Sequence, residues 1–417
     1  MTTESRFSVK PAGAVLLAIL GSISIASAAE VRAIFPKDAP KPTASYSPGL
    51  LAGDYLFVSS QGPRRGDGDI PDSVADQTEQ CLANVRAVVE AAELTMEHVV
   101  YTHVYLVDMT KDDEMNSAYA KSFPATPPAR AVVGVAKRPS KILVTINAVA
   151  VRDLSHKQPV QIAGFEPDEP YTPAVLTGDM LFLSAMLGRD LRSGEIPSDV
   201  TAQVDLALDN LGETLKAAGL GFEHMVFVNP YLTQDITYGE LNGAYRQRFE
   251  FGNTPARATI FVSSLPREAK IEFTGVAVRD LSKRRAVRPK NMNPSPTASP
   301  CVFAGDWYFC SAKSGFIPGV NGGIWASTPE NQFRQTMRNL LDGLEEAGLD
   351  FSNVVSTTLY FDDRRDYDKL NPIYEEYFTD GPPPSRTTVQ QLPAAERKPR
   401  PNGRWPTLEQ MSLIGLR

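Results

Sequence analysis

Thr126-Pro127-Pro128-Ala129-Arg130, running into Ala131-Val132-Val133, is the stretch from which the fold can be read. Proline fixes the approach, a small residue leaves room, and one arginine stands at the mouth of a β-branched strand. The arrangement returns as Asn253-Thr254-Pro255-Ala256-Arg257 before Ala258-Thr259-Ile260, and as Pro383-Pro384-Ser385-Arg386 before Thr387-Thr388-Val389. The arginines lie 127 and 129 residues apart, so the repeating unit is a domain rather than a solenoid turn.

Upstream of each arginine the landmarks also recur. Tyr46-Ser47-Pro48, Gly53-Asp54 and Phe57-Val58-Ser59 are matched by Tyr171-Thr172-Pro173, Gly178-Asp179 and Phe182-Leu183-Ser184. The third set is Ala298-Ser299-Pro300, Gly305-Asp306 and Phe309-Cys310-Ser311. Each Gly-Asp reads as the turn of a hairpin. Helical periodicity follows over Gln77–Ala92, Ala202–Ala218 and Glu330–Ala347, the last two stopped by Gly219 and Gly348. Strands are expected at Val99–Val107, Met225–Leu232 and Val354–Phe361. A short helix then carries Met115-Asn116-Ser117-Ala118-Tyr119, Leu241-Asn242-Gly243-Ala244-Tyr245 or Leu370-Asn371-Pro372-Ile373-Tyr374. The arginine strand and a closing strand, at Leu143–Val151, Ile271–Val278 and Thr407–Ile414, complete each unit. The class is α+β, with helices on one face of a mostly antiparallel sheet.

Polar, proline-bearing stretches separate the units. The chain divides into a signal segment at 1–28, repeats at 29–154, 170–281 and 297–417, and linkers at 155–169 and 282–296. The second linker holds a basic cluster, Lys283-Arg284-Arg285, read as solvated linker. The third repeat alone carries insertions, at Ile317–Ser327 and Ala394–Trp405. At the N-terminus, Arg6 and Lys10 precede an apolar run from Ala12 to Ile25, and Ala26-Ser27-Ala28 fits signal-peptidase cleavage before Ala29. That run is short for a membrane span. The expectation is a periplasmic or secreted protein with no stable membrane span after cleavage.

A net charge of −7 over 417 residues argues against a generic nucleic-acid surface. The three cysteines show no metal spacing, and neither a phosphate loop nor a nucleophilic triad is present. Counting outward from Gly305-Asp306 sets Cys301 opposite Cys310 on a non-hydrogen-bonded rung, where a disulfide fits. An oxidising compartment permits the bond; two buried thiols are the other possibility.

Taken together, the landmarks resemble the Rid family, the reactive-intermediate deaminases also called the YjgF family. They match its pattern of Y-S-P, G-D and F-V-S near the start, P-x-R before β-branched residues, and an A-V-A-V closing strand. The resemblance implies three tandem RidA-like (chorismate-mutase-like) domains. Because the family forms homotrimers with clefts between neighbouring subunits, it also implies a self-contained pseudo-trimer within one chain. The implied activity is cofactor-free hydrolysis of small carboxylate-bearing enamines or imines to 2-oxo acids and ammonia. The family's carboxylate-binding arginine maps to Arg130, Arg257 and Arg386, its tyrosine to Tyr46 and Tyr171 (Ala298 in repeat three), and its serine to Ser59, Ser184 and Ser311. Its water-activating glutamate maps to Asn147, Thr274 and Glu409, which leaves a carboxylate only in the third repeat. The catalytic set expected on this reading is Glu409, Arg386 and Ser311, at one complete cleft; Arg130 and Arg257 bind substrate without catalysis. A non-catalytic carboxylate-binding protein and a divergent hydrolase are the alternatives.

Overall fold

In the computed structural model, residues 1, 30–37, 40–136, 140–290, 292–319, 322–393 and 396–417 are described. The signal segment and its cleavage site lie almost wholly outside them. Each repeat forms one sheet backed by an 18-residue helix, Val74–Ala91, Val200–Ala217 or Pro329–Glu346. Their starts are set by side-chain caps: Ser73, Asp199 and Thr328 accept from the backbone N–H groups of Asp76, Ala202 and Asn331. One face of each helix supplies the core, as with Cys81, Val85, Val88 and Val89 in the first.

Across the first sheet the strands run Val31–Ile34, Gly49–Ala52, Tyr55–Gln61, Val144–Val151, Val99–Leu106 and Ala129–Gly134. All neighbours are antiparallel except the last pair, so the arginine strand is a parallel edge strand. The third sheet repeats this order, and the second does so with its arginine edge broken into Ala256–Arg257 and Ile260–Phe261. The linkers are more than tethers. They contribute the first strands of the second and third sheets, Lys157–Val160 and Arg284–Val287. The basic cluster is correspondingly engaged: Arg284 Nε donates to the Met225 carbonyl at 2.9 Å and Lys283 pairs with Asp179.

Contacts between repeats follow a cycle. The backbone N–H of Arg130 donates to Ser184 Oγ, that of Arg257 to Ser311 Oγ and that of Arg386 to Ser59 Oγ, each at 2.8 Å. One apolar cluster draws on all three units, with Leu50 and Phe57, Val175 and Phe182, and Val302 and Phe309 among its members. Gly134 permits another junction: its N–H donates to the Ser264 carbonyl at 2.9 Å, and a Cβ there would meet Ser264 Oγ at 2.1 Å. Cys301 and Cys310 are register partners and form a disulfide, while Cys81 is a buried thiol. Among the described residues no helix is long and apolar enough to cross a membrane.

The closing strand of the third repeat begins at Glu409 and ends at Leu416, two residues beyond the expected stretch. Its register corrects one assignment. Asn147 lies opposite His103, Thr274 opposite Asn229, and Ser412 opposite Thr358, three equivalent rungs. Ser412, not Glu409, is the counterpart of Asn147 and Thr274. The difference is three residues, and an odd slip along a strand turns a side chain to the other face.

Candidate active site

Each arginine is seated by its own short helix. The guanidinium carbons of Arg130, Arg257 and Arg386 lie 4.7, 4.9 and 4.3 Å from the ring centroids of Tyr119, Tyr245 and Tyr374, within cation–π range. Arg257 donates to Asn242 Oδ1 at 2.8 Å and Arg386 to Asn371 Oδ1 at 2.9 Å. These Asn-x-x-Tyr pairs were visible as a repeated motif, but only the structure brings them to the arginines.

The first cleft departs from the other two. Arg130 Nη2 pairs with Glu169 Oε2 at 3.0 Å, with side-chain exposures of 1 % and 9 %. Neither amide atom of the buried Asn116, the counterpart of Asn242 and Asn371, has a hydrogen-bond partner among the described residues. Glu169 comes from the end of the first linker, and its other oxygen accepts from Arg267 Nε at 3.2 Å. A cavity of about 40 Å³ opens here, lined among others by Arg130, Glu169, Tyr171, Arg189 and Glu272. Glu272 is the closing-strand residue opposite Tyr231; the equivalent rungs hold Thr145 opposite Tyr105 and Gln410 opposite Tyr360. A carboxyl therefore survives at this rung only in the second repeat. Burial, and then the negative charge of Glu169, push the Glu272 carboxyl well above its usual range, and its Oε1 has no partner among the described residues. Asp112 is raised to about 6 by burial and then by Glu169, against the opposing pull of Arg130. Burial raises the Tyr171 hydroxyl as well.

The set Glu409, Arg386 and Ser311 is not brought together. Arg386 lines a cavity of about 160 Å³ with Tyr46, Thr145, Arg364 and Tyr367, and Glu409 is not among its walls. Glu409 instead points at the backing helix, where Thr336 Oγ1 donates to its Oε1 at 2.7 Å. Burial raises its carboxyl to about 8. Ser311 belongs to the Arg257 junction. Its hydroxyl donates to the Ser299 carbonyl at 2.6 Å while accepting from Arg257, and Ser59 and Ser184 do the same with Ser47 and Thr172. These serines are fasteners between repeats. Asn147, Thr274 and Ser412 line a central cavity of about 120 Å³ along with Tyr105, Tyr231 and Tyr360. Sequence reasoning missed Glu272 and Glu169. The first carried a signal, a Glu two residues before Thr274; the second had none, since nothing local tells where a linker carboxylate docks.

The architecture is three helix-backed sheets with an arginine at each junction between repeats. The family model described as Endoribonuclease L-PSP matches residues 36–152, 162–279 and 292–396, and the chain belongs to that family, the RidA/YjgF family. A RutC family protein of Pyrococcus horikoshii is 37 % identical over 123 residues, 29 % of this chain and 97 % of that protein. The 2-iminobutanoate/2-iminopropanoate deaminase of Rattus norvegicus is 38 % identical over 110 residues, 26 % of this chain and 80 % of that protein. Among solved structures, the E. coli YjgF gene product matches with 34 % identity and a TM-score of 0.28, covering 29 % of this chain and 99 % of that one. E. coli TdcF with bound serine matches with 32 % identity and a TM-score of 0.28, covering 29 % and 99 %.

Proposed function

We propose that this chain hydrolyses small carboxylate-bearing enamines or imines, and that it does so at the cleft between the first and second repeats. One observation carries the reading: Glu272, a buried carboxyl with an unpartnered oxygen, lines the same cavity as Arg130 and Tyr171. The deaminase relatives support the reaction class. A carboxyl raised above its usual range holds its proton to higher pH and is suited to act as a proton donor.

In the proposed sequence the Arg130 guanidinium takes the substrate carboxylate by charge-assisted hydrogen bonds. Glu272 delivers its proton to the enamine's carbon 3, the carbon β to the carboxylate, giving the iminium at carbon 2. The resulting Glu272 carboxylate removes a proton from water as the water oxygen adds to carbon 2. Glu272 returns that proton to the amine, which leaves as ammonia. It recovers one from the hydroxyl as the 2-oxo group forms. Enamine and water become 2-oxo acid and ammonia, and Glu272 ends protonated as it began. Because Glu169 holds Arg130, the substrate carboxylate must replace it.

At the equivalent rungs Thr145 and Gln410 offer no titratable group. This supports a binding role, without chemistry, for the clefts of Arg386 and Arg257. The cyclic hydrogen bonds and shared apolar cluster support a pseudo-trimer made by one chain. The Cys301–Cys310 disulfide supports an oxidising compartment and hence export.

The test generates 2-aminoacrylate in situ and follows 2-oxo acid release. Wild-type protein accelerates release, and Glu272→Gln lowers kcat by at least about 100-fold, the usual scale for losing a general acid. Full activity in Glu272→Gln refutes its role. No acceleration by wild type refutes the activity on this substrate.

A further inference from the structure

The Arg130 cavity sets its second cation, Arg189, beside the carboxylates Asp168 and Glu169, whereas the Arg386 cavity has a second cation without them. Asn371 aligns with Asn116 and Asn242, and seven residues before these stand Arg364, Met109 and Asp235. Only the third repeat places a guanidinium there. Arg364 and Arg386 line the same cavity with Tyr46, Thr145 and Tyr367, and among the described residues no carboxylate lines it. Both guanidiniums approach the Tyr367 ring, at 3.4 Å for Arg364 and 5.2 Å for Arg386. Arg386 is 4 % exposed, and its Nε and Nη1 have no hydrogen-bond partner among the described residues. Burial holds the Arg364 guanidinium below its usual range, against the opposing pull of Tyr367 and Asp368, and the charge of Arg386 adds a smaller lowering.

Two like charges in one acid-free recess repel, and buried donors without acceptors cost free energy. A ligand with two negative charges removes both penalties. A single carboxylate neutralises one. We infer that the Arg386 cleft is a binding site for a small dianion, either a dicarboxylate or a phosphate group, with Arg386 as the deep anchor and Arg364 as the second. Tyr46 is positioned to meet the same ligand; its hydroxyl is affected by the nearby charge of Arg386. This goes beyond deaminase chemistry, which is proposed at the Arg130 cleft.

The experiment is calorimetric titration of the full chain with succinate, inorganic phosphate and propionate at fixed ionic strength. Succinate or phosphate is expected to bind at least about tenfold more tightly than propionate, one charge-assisted contact being worth that factor or more. Succinate ahead of phosphate identifies two separated anionic groups; phosphate ahead identifies one doubly charged head. Arg364→Met, which copies Met109, is expected to abolish the preference, bringing succinate and phosphate to the affinity of propionate. Arg364→Lys keeps part of the preference, and Arg386→Met removes the tight dianion site, leaving only what the Arg130 and Arg257 clefts take up. Equal affinity for propionate and both dianions, or an undiminished preference in Arg364→Met, overturns the inference. These are binding readouts, so a missing deaminase activity does not affect them.

Discussion

Glu169 is the residue whose removal tests the proposed site most directly. Its carboxylate sits 3.0 Å from Arg130 in a nearly dry environment, where an incoming substrate carboxylate would need to bind. In Glu169→Gln the competing charge is gone. A hydrogen bond to a charged group contributes about 1.5–3 kcal/mol, and each 1.4 kcal/mol is about a factor of ten. The variant is therefore expected to show KM lowered by about 10- to 100-fold, with kcat little changed because Glu272 remains. Stability moves the other way. Removing one partner of a buried pair costs about 3–5 kcal/mol when the other charge is left uncompensated. Here the cost is smaller, because Arg130 can turn to the unpartnered Asn116 as Arg257 and Arg386 already do with Asn242 and Asn371. Thermal unfolding of the variant should thus fall below wild type and recover on adding pyruvate, which resupplies a carboxylate. Steady-state kinetics on 2-aminoacrylate, with melting curves alongside, read both effects. An unchanged or raised KM in a folded Glu169→Gln protein refutes the view that Glu169 occupies the substrate's seat.

Other outcomes follow from the same contacts. Glu409 has a folded-state pKa of about 8 against an ordinary 4.5, so its protonated form stabilises the fold. That contribution is complete below about 4.5, is lost as pH rises towards about 8 at roughly 1.4 kcal/mol per unit, and changes little beyond. Glu409→Gln should melt like wild type at pH 4.5, melt higher at pH 8, and retain turnover; lost turnover in a folded variant would restore Glu409 as a catalytic candidate. For Glu272, raised by burial, the donor form is depleted as pH rises through its elevated pKa, so kcat should fall on the alkaline side of the profile. A limb falling towards acid instead would assign Glu272 the carboxylate as its resting form. Ser59→Ala removes the bond to the Arg386 N–H and the one to the Ser47 carbonyl, and denaturant unfolding should show a loss of about 1–3 kcal/mol. Alkylation of the unfolded, unreduced protein should label one thiol, Cys81; three labelled cysteines would exclude the disulfide.

Much of the fold was legible because its signals are local. Helices at Val74–Ala91, Val200–Ala217 and Pro329–Glu346 begin within three residues of where apolar periodicity sets them. The strands Met225–Leu232, Val354–Phe361 and Ile271–Val278 coincide with the expected ones. The site was less legible. Placement of Glu409 rested on aligning a closing strand that has lost its alternating small residues, and the pairing of Thr358 with Ser412 shows the offset. The serines looked like ligand contacts because they recur beside a conserved geometry of turn and strand, yet each has both hydrogen-bonding roles filled by backbone.

From the sequence alone come three copies of one unit and an arginine in the same setting in each. Proline, glycine and β-branched residues act on their immediate neighbours, and a spacing repeated three times is visible without a structure. The tertiary structure decides which arginine meets which partner. Arg386 meets Ser59 across 327 residues, and Arg130 meets Glu169 and shares a cavity with Glu272. Those meetings depend on the register of a closing strand and on the path of a linker, and both are set by packing between distant parts of the chain. In the third closing strand a three-residue offset separates a side chain facing the central cavity, Ser412, from one facing the backing helix, Glu409.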